Sequence, residues 1–441
     1  MKTFSFLSLL VCLAILPSCE IDEQFDPNGP IIGSVLTDAT ETELALLATG
    51  VEGSLRNGYA GYVTASGSIA RELYIFDADP RNTEDLLGKE DNVLDNTTFY
   101  ITGPFNSSYA IVKTANVLLD ALDNTNSVSD AEKQGYRGYA NTMKAVALSR
   151  VLDMLGENGV RIDVADPNNL GPFLSQDEGY IALLSLLDEA YDQLQGSEFA
   201  FTLSDGFAGF NTPETFRDFN RAIAARVATH GARYQAALDY VNSSFLNLEI
   251  DSVNTEALYV GPEMIFSTGP GDQTNPLFKA PGQSGDQLIV NPQIIADTTA
   301  GDERVDEKFR LRIQSTSQDG LNGNYETALY SSNVSPIDII RNEELILIYA
   351  EANINLGNLE EAVNALNIIR NASGLDDYDG PVEQAALIDE MLYQRTYSLW
   401  GEGHRMFDLR RYDRLNDQFL PIDREGDDIF TQFPIPLSEN A

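Results

Sequence analysis

Residues 343–371 read EELILIYAEANINL, then GN, then LEEAVNALNIIRN. In 343–356, Leu345, Tyr349, Ala352 and Leu356 recur on one face of a helix. Gly357-Asn358 interrupts the run, and 359–371 repeats the pattern with Leu359, Val363, Leu366 and Arg370, flanked by Ala362, Ala365 and Ile369. Two amphipathic helices joined by a Gly-Asn turn, with alanines where backbones approach, follow the logic of a tetratricopeptide-type hairpin. Neither helix can bury its stripe alone, so the pair must stack on others. A third helix is predicted from Gln384, ending in WGEGHRMFDLRR at 400–411.

Helices dominate upstream as well. Segments 104–122 and 130–155 read as long helices, and 178–194 carries a stripe of Ile181, Leu184, Leu187 and Tyr191. Pro213 suits the first turn of a helix over 214–230. Gly231 marks a turn before 234–245, and Ala222, Ala224, Ala225, Ala228, Ala232, Ala236 and Ala237 permit close packing there. Between 247 and 336 the texture changes. Gly261-Pro262, Thr268-Gly269-Pro270-Gly271 and Ala280-Pro281-Gly282 alternate with short apolar runs such as Gln287-Leu288-Ile289-Val290, which predicts long loops with a few short strands. A block of that length inside a helical scaffold points to function. The predicted class is mainly α, a tetratricopeptide-like helical-hairpin framework with a loop-rich, short-stranded insertion. One domain is expected over 41–441 with the insertion at about 247–336; the alternative is a separate compact domain in the insertion.

Three blocks of this sequence resemble the SusD/RagB family. Ile340-Arg341-Asn342-Glu343-Glu344-Leu345 with Tyr349-Ala350-Glu351-Ala352 is similar to its R-x-A-E-x-x-L-x-x-A-E-A. Glu402-Gly403-His404-Arg405 with Asp408-Leu409-Arg410-Arg411 is similar to its E-G-h-R-x-x-D-L-x-R, and Phe433-Pro434-Ile435-Pro436 to its P-I-P tail. A weaker match places Phe105 to Asn116 on the family's W-x-x-x-Y-x-x-I-x-x-A-N, with Phe105 for the usual Trp. The chain departs at Gln394 and Ser398, where the family usually has Glu, which bears on a structural ion pair and not on the fold. The resemblance implies a SusD-like fold and a non-enzymatic surface lipoprotein of Bacteroidetes that feeds nutrient to a SusC-like TonB-dependent transporter, acting as a lid over its mouth. It implies an oligosaccharide of a neutral glycan as cargo, or a peptide, as in other members of the family.

The other end of the chain agrees. Lys2 precedes an apolar run from Phe4 to Leu16, far shorter than the ~20 residues that span a bilayer, and Leu16-Pro17-Ser18-Cys19 follows. A Cys after a small residue at the cleavage site resembles a bacterial lipobox; an ordinary signal peptide with an incidental Cys is the alternative. Residues 1–18 are read as the signal peptide, Cys19 as the lipidation site, and 19–40 as lipidated N-terminus and tether, with Pro27-Asn28-Gly29-Pro30 supplying turns. Loss of Cys12 with the signal leaves one thiol and no disulfide. Acidic Glu20-Ile21-Asp22-Glu23 resembles the surface-export signals of Bacteroidetes lipoproteins and suggests the outward-facing leaflet of the outer membrane.

With 28 basic and 68 acidic side chains the net charge is −40. Such a surface repels nucleic acid, whose binding rests on neutralising phosphates. No phosphate-binding loop, nucleophile elbow or zinc-helix motif occurs. The two histidines, His230 and His404, lie within helices and lack ligand spacing, so no metal and no cofactor are expected. Asp376-Asp377-Tyr378-Asp379-Gly380 lacks the spacing of a calcium loop and reads as a solvated turn. Carboxylate pairs are too numerous here to signal a glycosidase, so a cell-surface glycoside hydrolase stands only as a rival.

Sugar recognition needs an aromatic platform beside planar polar groups. The single Trp400 sits on the last framework helix and reads as core, so contact falls to Tyr and Phe. The best cluster runs from Ala70 to Asn82, ahead of Phe99-Tyr100. Arg71, Asp77, Arg81 and Asn82 offer forked donors and acceptors for adjacent hydroxyls, with Tyr74 and Tyr100 as aromatic surface. In the family the corresponding segment lines the binding face. The bland alternative is a loop held by internal ion pairs. Phe278, Tyr325 and Tyr330 are weaker candidates from the loop-rich block.

Overall fold

The computed structural model describes residues 32–250 and 254–440. Cys19, the signal segment and most of the tether lie outside the described residues. The N-terminal half comprises α1 (Ile32–Asp38), α2 (Glu41–Ser54), α3 (Tyr59–Ile69), β1 (Leu73–Phe76), α4 (Phe99–Asn124), α5 (Asp130–Leu155), α6 (Gln176–Leu194), α7 (Pro213–His230) and α8 (Tyr234–Asn242). The loop-rich block contributes β2 (Glu263–Met264), β3 (Gln287–Val290), α9 (Pro292–Ala296), α10 (Arg304–Lys308), β4 (Phe309–Gln318), β5 (Leu321–Thr327) and β6 (Ile337–Asp338). The chain closes with α11 (Asn342–Leu356), α12 (Leu359–Ala372), α13 (Gln384–Ser398) and α14 (Arg405–Arg411). Among the described residues no helix is long and apolar enough to cross a membrane.

Sequence punctuation sets the helix starts. Thr40 with Glu43, Ser129 with Glu132 and Ser175 with Glu178 form reciprocal capping boxes that satisfy orphan N–H groups. Thr212 caps α7, with Pro213 in its first turn. Successive helices pack as antiparallel neighbours, α4 on α5, α5 on α6, α6 on α7 and α7 on α8. The hairpin α11–α12 continues the stack through α8 and α13. Helix α5 is therefore buried along most of its length, from Tyr136 to Leu155.

Two stripe readings are corrected. On α6 the buried line is Tyr180, Leu183, Leu184, Leu187, Ala190 and Leu194, while Ile181 is 49 % exposed. The face is rotated by one position because α5 and α7 flank α6 on two sides. On α11 nearly every position is buried, including Glu343, Glu344 and Glu351, because α8, α12 and α13 surround it. Its acids persist there because each meets a guanidinium: Glu343 lies 2.6 Å from Arg341, Glu344 bonds Arg226, and Glu351 bonds Arg411. Trp400 is core, as expected. It lies edge-on to Phe309 at 4.8 Å between ring centroids, and its indole N–H donates to the Glu72 carbonyl.

The departures at Gln394 and Ser398 are absorbed locally. Arg304 pairs with Asp302 at 2.6 Å and donates to the Ser398 hydroxyl at 2.9 Å and the Gln394 carbonyl. The carboxylate that meets Arg304 comes from Asp302, in the loop before α10, and not from α13.

The loop-rich block is more ordered than its composition suggests. β1, β3, β5 and β4 form one antiparallel sheet in that order. Leu73 pairs with Val290 and Phe76 with Gln287, so the block is stitched to the residues just after α3. Gln287–Val290 is a strand as predicted, but the ten-residue β4 and its partner β5 exceed the expected short strands. The overlooked signal is Asp319-Gly320, a two-residue connection with both residues at positive φ (52° and 81°), which suits the twist of a hairpin.

Candidate ligand-binding site

Arg71 follows α3 with φ 52° and is 1 % exposed. Its Nε lies 2.9 Å from Asp423 Oδ2, and its Nη groups donate to the carbonyls of Ile69, Leu87 and Asp428. Burial lowers its pKa, against the pull of Asp423. The side chain therefore staples the C-terminal loop to the start of β1. That removes Arg71 as a ligand contact, because all its donors face inward.

Tyr74, 3 % exposed, stacks on Phe76 with centroids 5.7 Å apart and donates its hydroxyl to Asp423 Oδ1. Asn291 Nδ2 donates to the Tyr74 oxygen at 3.1 Å and to Asp423 at 3.3 Å. Burial, and then Asp423, raise the pKa of Tyr74; burial also raises that of Asp423. Tyr74, Asn291, Asp423 and Arg71 thus form one closed network that fixes a floor.

The rest of the first cluster builds its own loop. Asp77 accepts from both the Asn82 amide (2.9 Å) and the Asp79 N–H (2.9 Å), and Asn82 is 4 % exposed. Tyr100 is buried with its hydroxyl on Asp85. Neither Asn82 nor Tyr100 lines the depressions described next. Arg81 alone faces solvent, paired with Asp79 at 2.6 Å and lying over the Phe99 ring at 4.9 Å. Phe278 is half-buried and lines neither depression described next; Tyr330 packs beside Trp400.

Two adjoining depressions lie where the sheet meets α9. One, of ≈ 250 Å³, is lined by Tyr74, Asn291, Gln293, Leu321, Pro421 and Asp423 among others; its neighbour, of ≈ 200 Å³, by Val290, Ile295, Gly323, Asn324 and Tyr325. Pro292 and Asn322 belong to both. Tyr74 and Tyr325, from opposite ends of the sequence prediction, are thereby brought to one surface. Gly323 makes the approach possible: a Cβ there would lie 2.1 Å from Ile289 Cγ2, so only glycine lets β5 sit this close to β3.

The lining is rich in side-chain amides. Asn291 is committed to the floor and to capping α9. Asn322, Asn324 and Tyr325 stand on β5 with no strong internal claim on their polar atoms. Amides supply both donors and acceptors, which suits hydroxyl groups of either sense. Among the described residues Asp423 is the only carboxylate lining either depression, and it is already held by Arg71 and Tyr74. Gln293, Asn322, Asn324 and Asp423 were missed in the sequence. Asn322-Gly323-Asn324 beside an Asp-Gly turn was the available signal; Asp423 had none. Among the described residues no group of three or more His, Cys, Asp or Glu side chains is arranged to hold a metal.

With this geometry in place, comparison with known proteins identifies the class. A model of the SusD family matches residues 185–436, and the chain belongs to that family. Its fold is that of a SusD superfamily protein from Bacteroides vulgatus (18 % identity, TM-score 0.68, covering 91 % of this chain and 96 % of that one). It is similarly close to surface glycan-binding protein A from Bacteroides thetaiotaomicron (16 %, 0.71, 91 % and 96 %). The structure of a protein of that name and organism in complex with laminarihexaose also matches (15 %, 0.69, 91 % and 97 %). At these identities the likeness is one of fold. A search of curated proteins finds no match.

Proposed function

We propose that this protein binds a neutral oligosaccharide across the two depressions at the β3–β5–α9 junction and, as a lipid-anchored outer-membrane surface protein, delivers it to a SusC-like TonB-dependent transporter. The observation that carries the reading is the lining itself: amides and a half-buried tyrosine over a floor whose one carboxylate is internally satisfied. Such a surface offers hydrogen-bond donors and acceptors with its charge already paired, which favours hydroxyls over ionic cargo. Membership of the SusD family and the laminarihexaose complex of a structural neighbour support the same ligand class.

The test is calorimetry with a panel of neutral hexasaccharides, laminarihexaose among them, and short peptides. Tyr325→Ala and Asn322→Ala should each weaken saccharide binding by about tenfold or more, with Tm nearly unchanged. Tight peptide binding without saccharide binding would replace the ligand class.

One feature favours hydrolysis as a second reading. A separate cleft of ≈ 270 Å³ holds Glu52 and Glu263 near Phe207, and burial raises the pKa of Glu263. Against it, both Glu52 oxygens already accept from the Ser204 N–H. Release of reducing ends by the wild type but not by Glu263→Gln would establish that reading.

A further inference from the structure

Leu311 and Ile313 stand on β4, the edge strand of the sheet; Leu311 is 63 % exposed and Ile313 fully exposed. Leu311 pairs directly with Tyr325, so the two side chains share one face at the ~5 Å spacing of cross-strand neighbours. Tyr325 lines the smaller depression, and the aliphatic edge therefore begins where that depression ends. Beyond Leu311 the register breaks. The next pair is Thr316 with Gly323, so Arg312 to Ser315 stand against Asn324 alone and bulge from the sheet. Bulges beside functional surfaces re-aim side chains. This one carries Ile313 into solvent opposite Asn324, another lining residue of the same depression. The bulge also denies an incoming strand a regular ladder, so a further β-strand is a poor occupant.

The bulge is held from behind. Arg312 bonds Glu326 and donates to the Gln283 carbonyl at 3.2 Å, and Glu326 also accepts the Gly282 N–H at 2.8 Å. Arg310 lies 3.6 Å from the same carboxylate, so both guanidinia of the strand turn toward Glu326. Residues 309–318 contain no acid, in a chain that has 68. Exposed Gln314, Ser315 and Ser317 instead set an amide and hydroxyls around the aliphatic pair. Apolar surface bordered by such groups matches a pyranose, whose C–H face is apolar and whose rim is hydroxyl. We propose that Leu311 and Ile313 form a third subsite, on which an oligosaccharide seated in the depressions lays the C–H face of a further ring past Tyr325, with Gln314 and Ser315 beside its hydroxyls. The edge thereby selects longer chains over short ones. This rests on the saccharide reading of the depressions.

Calorimetry on the full protein tests it, with laminari-, cello- and malto-oligosaccharides of increasing length, from disaccharide to hexasaccharide, as probes. Leu311→Ser and Ile313→Ser should each weaken the hexasaccharide that binds by about fivefold, and the shortest homologue that binds should keep its wild-type affinity. Both positions are exposed, so Tm should stay unchanged. Wild-type hexasaccharide affinity in the Leu311→Ser/Ile313→Ser double variant overturns the proposal. So does an equal loss at every chain length, which would place the effect on Tyr325 and not on a further ring. A wild type that sediments as a dimer beside a monomeric double variant would make the edge an interface between copies and overturns the proposal as well. Tyr325→Ala separates this subsite from the site it extends. Hexasaccharide binding that needs Tyr325 but neither edge residue keeps the depressions and removes the third subsite; a wild type that binds no probe of any length removes both.

Discussion

At the residue scale, Arg71 holds the C-terminal loop against the start of β1. Placed after α3 with positive φ, it must send its guanidinium inward, where Asp423 and three carbonyls take it up. Arg71→Ala would leave Asp423 buried beside Tyr74 without its cation, at a cost of about 3–5 kcal/mol. Denaturant unfolding should show that loss, with saccharide affinity falling only as the floor loosens. Unchanged stability would return Arg71 to the ligand. Buried carboxylates also set the pH response. Burial pushes Glu72 up to about 7, although it accepts the Gly401 N–H at 3.0 Å. The folded state therefore holds that proton more tightly than the unfolded state, so stability falls as pH rises from about 4.5 to about 7. Glu344 acts in the opposite sense: despite burial, Arg226 holds it near 2, so its contribution is present above pH 4.5 and lost as pH falls toward 2. Glu72→Gln should remove the neutral-side slope, stabilise the protein at pH 8 by on the order of 1–3 kcal/mol, and leave the acid side unchanged in urea titrations across pH.

At the scale of elements, the hairpin β4–β5 is what makes a site out of the loop-rich block. Its tip is pinned from outside: Arg424 donates to the Asp319 carbonyl at 2.9 Å and Thr83 to its carboxylate at 3.2 Å, so the C-terminal loop and the residue just past the first candidate cluster both hold it. Gly320→Ala forces a Cβ onto φ 81° and should cost about 1–2 kcal/mol. Gly323→Ala is the sharper test, since its Cβ would collide with Ile289 in the strand behind. It should push β5 off β3, weakening saccharide binding more than Gly320→Ala does at matched loss of Tm. Equal effects would show that β5 position does not govern the site.

At the scale of the molecule, a net charge of −40 opposes the approach of nucleic acid and other anions. If Cys19 carries the anchor, Cys19→Ala should release the protein from the outer membrane, checked by fractionation with protease accessibility on intact cells. Wild-type protein found soluble in the periplasm would sink the anchoring. Detergent-solubilised wild type should co-purify with a TonB-dependent transporter through an interface above ~1,000 Å². Repeated recovery without one, from cells grown on the proper nutrient, would remove delivery while leaving binding intact.

Helical periodicity is local, and it was legible. The α11–α12 hairpin, α5 and the proline-started α7 appear within a few residues of their predicted bounds, because spacing, capping boxes and the Gly357 break are written in consecutive residues. Trp400 is core as read, although it lies in the turn just past the end of α13 at Ser398 and not on the helix. What the sequence could not decide was which polar residues face outward. Arg71, Asp77, Asn82 and Tyr100 carry the same chemistry whether they meet a ligand or each other. The partners of Arg71, Asp423 and Asp428, lie some 350 positions away, and only folding brings them together. The depressions are assembled the same way, from β1, β3, β5 and the C-terminal loop, through long-range pairings such as Leu73 with Val290. Local pattern determined the framework; the distant contacts that bury one set of polar groups and leave Asn322, Asn324 and Tyr325 free were decided by the tertiary structure alone.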